Sequence, residues 1–149
     1  MSTPSLVVFD LAGTTVRDTG QVSDALTIAL RNHGLEITPA QLGLLRGASK
    51  REALLRVIPE GPDRLGRAAK IYVDFREQLL ARFARGVDPI DGAREIFERL
   101  RARGVRVALA TGFDRSIVGV LLRSLGWHEG VVDAVVPATR SGRVAPPPT

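Results

Sequence analysis

The chain of 149 residues contains no cysteine. Disulfides, thiolate metal sites and a cysteine nucleophile are therefore excluded. Lysine is nearly absent as well: the chain has 21 basic residues, and only Lys50 and Lys70 are not arginine. The two histidines, His33 and His128, lack the mutual spacing of a metal-ligand pair, and His33, before Gly34, is placed at a helix end in a surface capping role. No apolar run approaches the roughly 20 residues needed to cross a bilayer. Met1 to Ser5 show no basic stretch leading into an apolar segment, so no secretory signal is visible, and a cytoplasmic location with no membrane partner is expected. Neither G-x-G-x-x-G nor a P-loop pattern occurs.

What is present describes a globular domain. A hydrophobic content of 44% with 25% charged residues supports a real core. The net charge of +5 raises the question of nucleic acid. The arginines, however, are spread along predicted helices as solvated faces, and no nucleic-acid partner is expected.

Hydrophobic patterning gives the order of elements. Leu6 to Phe9 is a short β-branched apolar run ending at Asp10, which predicts a strand buried on both faces. Residues 24–33 predict a helix capped by Ser23 and ended by Gly34. Pro39 opens a helix to about Leu45, Gly47 breaks it, and Ser49 caps another over 50–57. Leu65, Ala69, Tyr72, Phe75, Leu79 and Phe83 recur at three- and four-residue steps, predicting a buried stripe on a helix over 63–85 closed by Gly86. Asp91 is placed as the cap of a helix over 92–103, with Ile96, Phe97 and Leu100 inward. A strand follows at 105–110, then a Thr111-Gly112 turn, a helix from the Asp114 cap to Leu125 closed by Gly126, and a strand at 131–136. Trp127 is assigned to packing. The tail from Ala138, with three consecutive prolines, cannot continue a regular element.

Alternating strands and helices imply an α/β fold with a parallel, doubly wound sheet. Some ninety residues separate the first two strands and are almost wholly helical, too many for one crossover. The simplest organisation is a helical cap at 20–88 inserted into a core formed by 1–19 and 89–149.

Ligands in such sheets bind at the carboxyl ends of the strands, where Asp10 and Thr111 stand. An aspartate there is a candidate nucleophile toward phosphorus. A threonine at a helix start is a candidate holder of phosphate oxygens. The alternative, that Asp10 caps a turn and Thr111 begins one, stays open on position alone.

The stretch Phe9-Asp10-Leu11-Ala12-Gly13-Thr14-Thr15-Val16 resembles the first motif of the haloacid dehalogenase superfamily, in the form found in its phosphonatase branch. Ala108 to Gly112 resembles the second motif and Ser141-Gly142-Arg143 the third. The resemblance implies an aspartate-nucleophile hydrolase of a phosphonate or small phosphorylated metabolite. Asp10 would attack phosphorus, and Mg2+ would be held by Asp10 and the Ala12 carbonyl. Thr111 and Arg143 would hold the transferred group, with Gly13, Thr14, Gly47 and Gly112 around the substrate. Ala12 stands where most relatives carry an aspartate serving as acid and base. A phosphonatase needs none, because its leaving carbon is activated as an imine on a cap lysine. Lys50, after Gly47-Ala48-Ser49, resembles that lysine; binding substrate phosphate is its alternative role. Ala53 replaces the histidine that phosphonatases carry three residues further on.

The resemblance also implies a fourth motif whose aspartates complete the metal site, and the sequence is expected to stop short of it. A catalytically impaired relic, or an anion-binding or interaction module of the same fold, is therefore the second reading. An apolar edge left on the first strand would favour a homo-oligomer.

Overall fold

The computed structural model describes residues 2–45 and 49–138. Three strands, β1 (Leu6–Asp10), β2 (Arg106–Ala110) and β3 (Ala134–Val136), form a parallel sheet in the order β1-β2-β3. Four helices lie between β1 and the return to the sheet: α1 (Gln21–Asn32), α2 (Pro39–Leu44), α3 (Lys50–Val57) and α4 (Arg64–Arg85). Helix α5 (Ala93–Ala102) completes the crossover to β2, and α6 (Arg115–Leu125) joins β2 to β3. The chain leaves for the inserted helices and returns from them along one short seam. There Arg17 N–H donates to the Asp88 carbonyl and Ile90 N–H to the Thr15 carbonyl.

Local chemistry explains most helix ends. Thr38 accepts from Gln41 N–H while the Gln41 side chain accepts from Thr38 N–H, a reciprocal capping box with Pro39 in the first turn. Ser49 caps α3 through Glu52 N–H, and Asp114 caps α6 through Ile117 N–H. Gly126 closes α6 with φ +73, a left-handed turn that costs glycine nothing. His33 does end α1, its N–H donating to the Leu30 carbonyl, and its ring also pairs with Asp74 at 3.5 Å.

Several boundaries and faces differ from the expectations. Helix α1 starts at Gln21, with Gly20 at the cap position in a left-handed conformation. Ser23 lies inside the first turn, and the Asp18 carboxylate takes the Gly20 N–H. Likewise Gly92, not Asp91, precedes α5; Asp91 instead pairs with Arg17 at 3.1 Å. On α4 the buried stripe is Ala68, Ile71, Tyr72, Phe75, Leu79 and Phe83. Leu65, in the first turn, is 75% exposed, because periodicity buries a side chain only where another element faces it, and Ala69 is exposed one step off the stripe. Ile96 is exposed beside the fully buried Phe97.

The strands carry two further corrections. β1 is not buried on both faces: it is the edge of the sheet among the described strands, and Val8 is 54% exposed while Phe9 on the other face is half-buried. β3 is three residues long rather than six, because Asp133 substitutes for ladder pairing. Its N–H donates to the Val107 carbonyl and its carboxylate accepts from Val107 N–H at 2.8 Å.

One continuous core runs from the sheet into the inserted helices. Near the sheet, Phe97 packs between Phe9 and Trp127, with ring centroids at 5.3 and 5.2 Å. Phe83 of α4 meets Phe113, just before α6, edge-on at 6.1 Å, so the helical insert and the sheet layer share one apolar interior. Phe97→Ala removes the central ring of the sheet-side cluster. We expect it to cost about 3–5 kcal/mol in urea unfolding, against under about 1.5 kcal/mol for the exposed Ile96→Ala; equal effects would contradict this packing.

Candidate active site

The register of the sheet sets the site. Asp10 pairs with Ala110, so the residue after each strand emerges at the same carboxyl edge. The turn after Asp10 is tightly wound: the Leu11 carbonyl accepts the N–H groups of Thr14, Thr15 and Val16. Gly13 supplies the positive φ of +82 that this turn needs. The buried Thr15 hydroxyl donates to the Asp10 carbonyl at 2.9 Å, fixing the backbone that carries the carboxylate. Asp10 itself is exposed, with Oδ1 accepting from Leu11 N–H at 2.8 Å.

On the neighbouring strand, the buried Thr111 N–H donates to the Val136 carbonyl at 3.2 Å. Its hydroxyl accepts from Phe113 N–H at 3.2 Å, which folds residues 111–113 into the turn that starts α6. Asp114 then ties this turn to the inserted helices. Its carboxylate accepts from Ile117 N–H, from the Ser116 hydroxyl and from the Tyr72 hydroxyl on α4. Burial pushes the Asp114 carboxyl up, but the hydrogen bonds from Ser116, Tyr72 and Ile117 outweigh it and hold it below its ordinary value. Burial and the Asp114 contact push the Tyr72 hydroxyl up. The Arg51 guanidinium lies 4.1 Å above the Tyr72 ring. This α3–α4–α6 connection carries no sequence motif; the paired residues lie 42 positions apart.

A cleft of about 540 Å³ opens between these turns and the inserted helices. Asp10, Ala12, Gly13 and residues 110–113 line it from the sheet, and Val22, Ser23, Leu26, Leu42, Leu45 and Lys50 from the helices, with Asp18 where the two meet. Lys50 Nζ donates to the Leu45 carbonyl at 3.3 Å. Burial lowers its pKa, while the charges of Asp10 and Asp18 oppose the shift. An ammonium, a carboxylate at a strand end and a helix-start turn thus share one cavity.

Of the residues singled out in the sequence, Asp10, Ala12, Gly13, Lys50, Thr111 and Gly112 meet in this cleft. Thr14 does not: it is exposed, and its N–H is spent on the Leu11 carbonyl. Gly47 and Arg143 lie outside the described residues. Asp18, not among the residues singled out, lines the cleft as well. Its position eight residues after Asp10, at the exit toward the helices, was the available signal. Asp133 and Asp114 are engaged structurally, the former also pairing with Arg101 at 3.3 Å. Among the described residues no group of three or more histidine, aspartate or glutamate side chains is arranged to hold a metal. The oxygens at the strand end are the Asp10 carboxylate and the Ala12 carbonyl. Both are hard donors, a set that suits magnesium when phosphate oxygens and water complete it. Among the described residues no helix is long and apolar enough to cross a membrane.

Comparison with known proteins gives the family and the fold. The family model for hydrolases described as haloacid dehalogenase-like matches residues 4–148. A phosphonoacetaldehyde hydrolase of Bacillus cereus is 29% identical over 135 residues, covering 78% of this chain and 49% of the relative. The human haloacid dehalogenase-like hydrolase domain-containing protein 3 is 27% identical, covering 96% of this chain and 64% of the relative. The chain thus spans about half the length of the phosphonoacetaldehyde hydrolases it matches. Among solved structures, CbbY of Rhodobacter sphaeroides in complex with xylulose-(1,5)bisphosphate superposes with a TM-score of 0.74 at 20% identity, covering 91% of this chain and 64% of that one. A predicted phosphatase of Clostridium acetobutylicum gives 0.76 at 17%, covering 95% and 64%. These likenesses establish the fold.

The Asp114 arrangement makes a stability prediction. A carboxyl whose pKa is depressed by folding adds stability above its unfolded value, near 3.8, and that contribution fades as pH falls through the lower folded value. Asp114→Ala removes the cap and leaves the buried Tyr72 hydroxyl unpaired. We expect a loss of about 2–3 kcal/mol at neutral pH, with Tyr72→Phe costing about 1 kcal/mol. The deficit of Asp114→Ala relative to wild type should shrink in denaturation series taken below pH 3.8; a deficit independent of pH would contradict the assignment.

Proposed function

The chain belongs to the haloacid dehalogenase-like hydrolase family, and on that premise we propose that it is a phosphonatase-like hydrolase acting on a phosphonate or small phosphorylated metabolite. The observation that carries this reading is the shared cleft: Asp10 at the end of β1, Thr111 at the end of β2 and the desolvated Lys50 of the inserted helices. Residues 20–88 act as the cap, 1–19 and 89–149 as the core, and the seam of Thr15–Arg17 with Asp88–Ile90 as the hinge between them. The phosphonoacetaldehyde hydrolase relatives supply the substrate class.

The chemistry follows from the side chains. The Lys50 amine condenses with the substrate carbonyl, releasing water and giving an imine. Asp10 attacks phosphorus, the carbon–phosphorus bond breaks, and its electron pair moves into the imine system as an enamine. Protonation and hydrolysis release the aldehyde and restore the amine. Water then hydrolyses the aspartyl phosphate. No alcohol leaves, so Ala12 need carry no proton. Thr111 and the turn at Gly112 bind the phosphoryl oxygens. Asp10 and the Ala12 carbonyl would hold magnesium, which when bound neutralises phosphoryl charge.

Burial favours the neutral amine of Lys50, the form an imine requires. The expected result is that phosphonoacetaldehyde cleavage falls by at least about a thousandfold in both Asp10→Asn and Lys50→Arg, although arginine keeps the charge. In wild type kcat/KM should rise with pH through the depressed Lys50 pKa and then level. Were Lys50 a substrate-binding cation, activity would instead fall across that range and Lys50→Arg would retain it. A folded protein with no turnover on phosphonoacetaldehyde or phosphate esters would favour the alternative, a catalytically impaired member of the fold, which the sparse acidic donor set among the described residues also suits.

A further inference from the structure

Among the described residues, three titratable side chains line the cleft: Asp10, Asp18 and Lys50. In the proposed reaction Asp10 is engaged with phosphorus and Lys50 with the carbonyl, so Asp18 has no task. The same reaction contains a proton without a carrier. When an amine condenses with a carbonyl, the carbonyl oxygen leaves as water, and it leaves readily only once a proton has been delivered to it. Hydrolysis of the imine runs that transfer in reverse. The Lys50 nitrogen is the atom being joined to carbon, and Asp10 is committed to phosphorus, so neither is the carrier.

The Ser23 and Thr111 hydroxyls of the same lining can share hydrogen bonds, but an aliphatic hydroxyl neither gives up nor gains a whole proton near neutral pH. Thr111 also stands at the phosphoryl end, its oxygen accepting from Phe113 N–H at 3.2 Å. Residues 46–48 and 139–149, outside the described residues, include no aspartate, glutamate or histidine. Asp18 is well placed for the transfer. It lies where the chain passes from the sheet into α1, directly after Arg17, whose N–H is bound to the Asp88 carbonyl at 2.8 Å. Its Oδ1 accepts from Gly20 N–H at 3.0 Å, which ties the carboxylate to the entry of the helix and leaves a second oxygen to bind a proton. The side chain is exposed, so it can exchange protons with water, and its charge is felt by the Lys50 amine.

We propose that Asp18 is the acid–base residue of the imine chemistry at Lys50, a role that rests on reading Lys50 as the imine-forming amine. As a carboxylic acid, Asp18 protonates the carbinolamine oxygen, which leaves as water while the nitrogen lone pair closes the imine. As a carboxylate, it takes a proton from the water that later adds to the imine carbon. One proton is given and one is returned. The proton that the enamine carbon gains after the carbon–phosphorus bond breaks comes from solvent.

Two variants and a chemical rescue test it. Asp18→Asn keeps an oxygen for Gly20 N–H but cannot carry the proton. With phosphonoacetaldehyde and magnesium its kcat should fall by about a hundredfold or more, while its Kd for inorganic phosphate stays within about twofold of wild type. Asp18→Ala leaves room for a small acid, so added formate or acetate should restore part of its rate in proportion to concentration, and chloride at equal ionic strength should not. Wild-type kcat in Asp18→Asn, or an Asp18→Ala rate that formate and acetate raise no more than chloride does, would overturn the proposal and leave Asp10 and Lys50 in their roles. Borohydride added during wild-type turnover should trap the substrate on Lys50. Turnover without that adduct would overturn the imine reading, and the role of Asp18 with it.

Discussion

The parallel pairing of β1 with β2 is the constraint on which the site depends. With Asp10 opposite Ala110, the end of one strand and the first residue beyond the other emerge at a common edge. A slip of one residue would send Asp10 to the other face of the sheet. The register is held from both sides. Val107 exchanges hydrogen bonds with Asp133, and Phe97 locks Phe9 against Trp127. The carboxylate is thus fixed by packing behind it, while the surface in front is left open.

The second requirement is that the inserted helices sit over that edge. Two contacts link them to the sheet layer at the same turn: Phe83 on Phe113, and Tyr72 on Asp114. The turn that follows Thr111 is therefore shaped by α4 as much as by the sheet. Lys50 begins α3, whose next residue, Arg51, lies over the Tyr72 ring. The start of α3 is in this way connected through two side chains, Arg51 on Tyr72 and Tyr72 on Asp114, to the start of α6. Burial lowers the pKa of the Lys50 amine, while the charges of Asp10 and Asp18 oppose the shift.

Much of this could be read from the residues. The first-strand motif, the long crossover and the alternation of strands and helices gave the α/β arrangement, and Asp10, Thr111 and Lys50 were recognisable by type and position. The burial of individual faces was less legible. Leu65 and Ile96 fit a helical period yet stay exposed, since the sequence does not say which turn has a neighbour. Ser23 and Asp91 look like caps, but Gly20 and Gly92 take those positions, because a left-handed glycine redirects the chain without a side-chain bond. Asp133 shortens β3 by taking a backbone donor itself, and the Tyr72–Asp114 contact joins residues with no local pattern between them.

We propose that Asp10 accepts the phosphoryl group within the cleft that Lys50 lines. Acid quenching during turnover of phosphonoacetaldehyde, followed by peptide mapping in a mass spectrometer, examines that claim directly. The account predicts phosphate on the peptide containing Asp10, absent in Asp10→Asn and absent when Lys50→Arg blocks imine formation. Turnover with no phosphorylated Asp10 peptide, or with the phosphate on another residue, would contradict it.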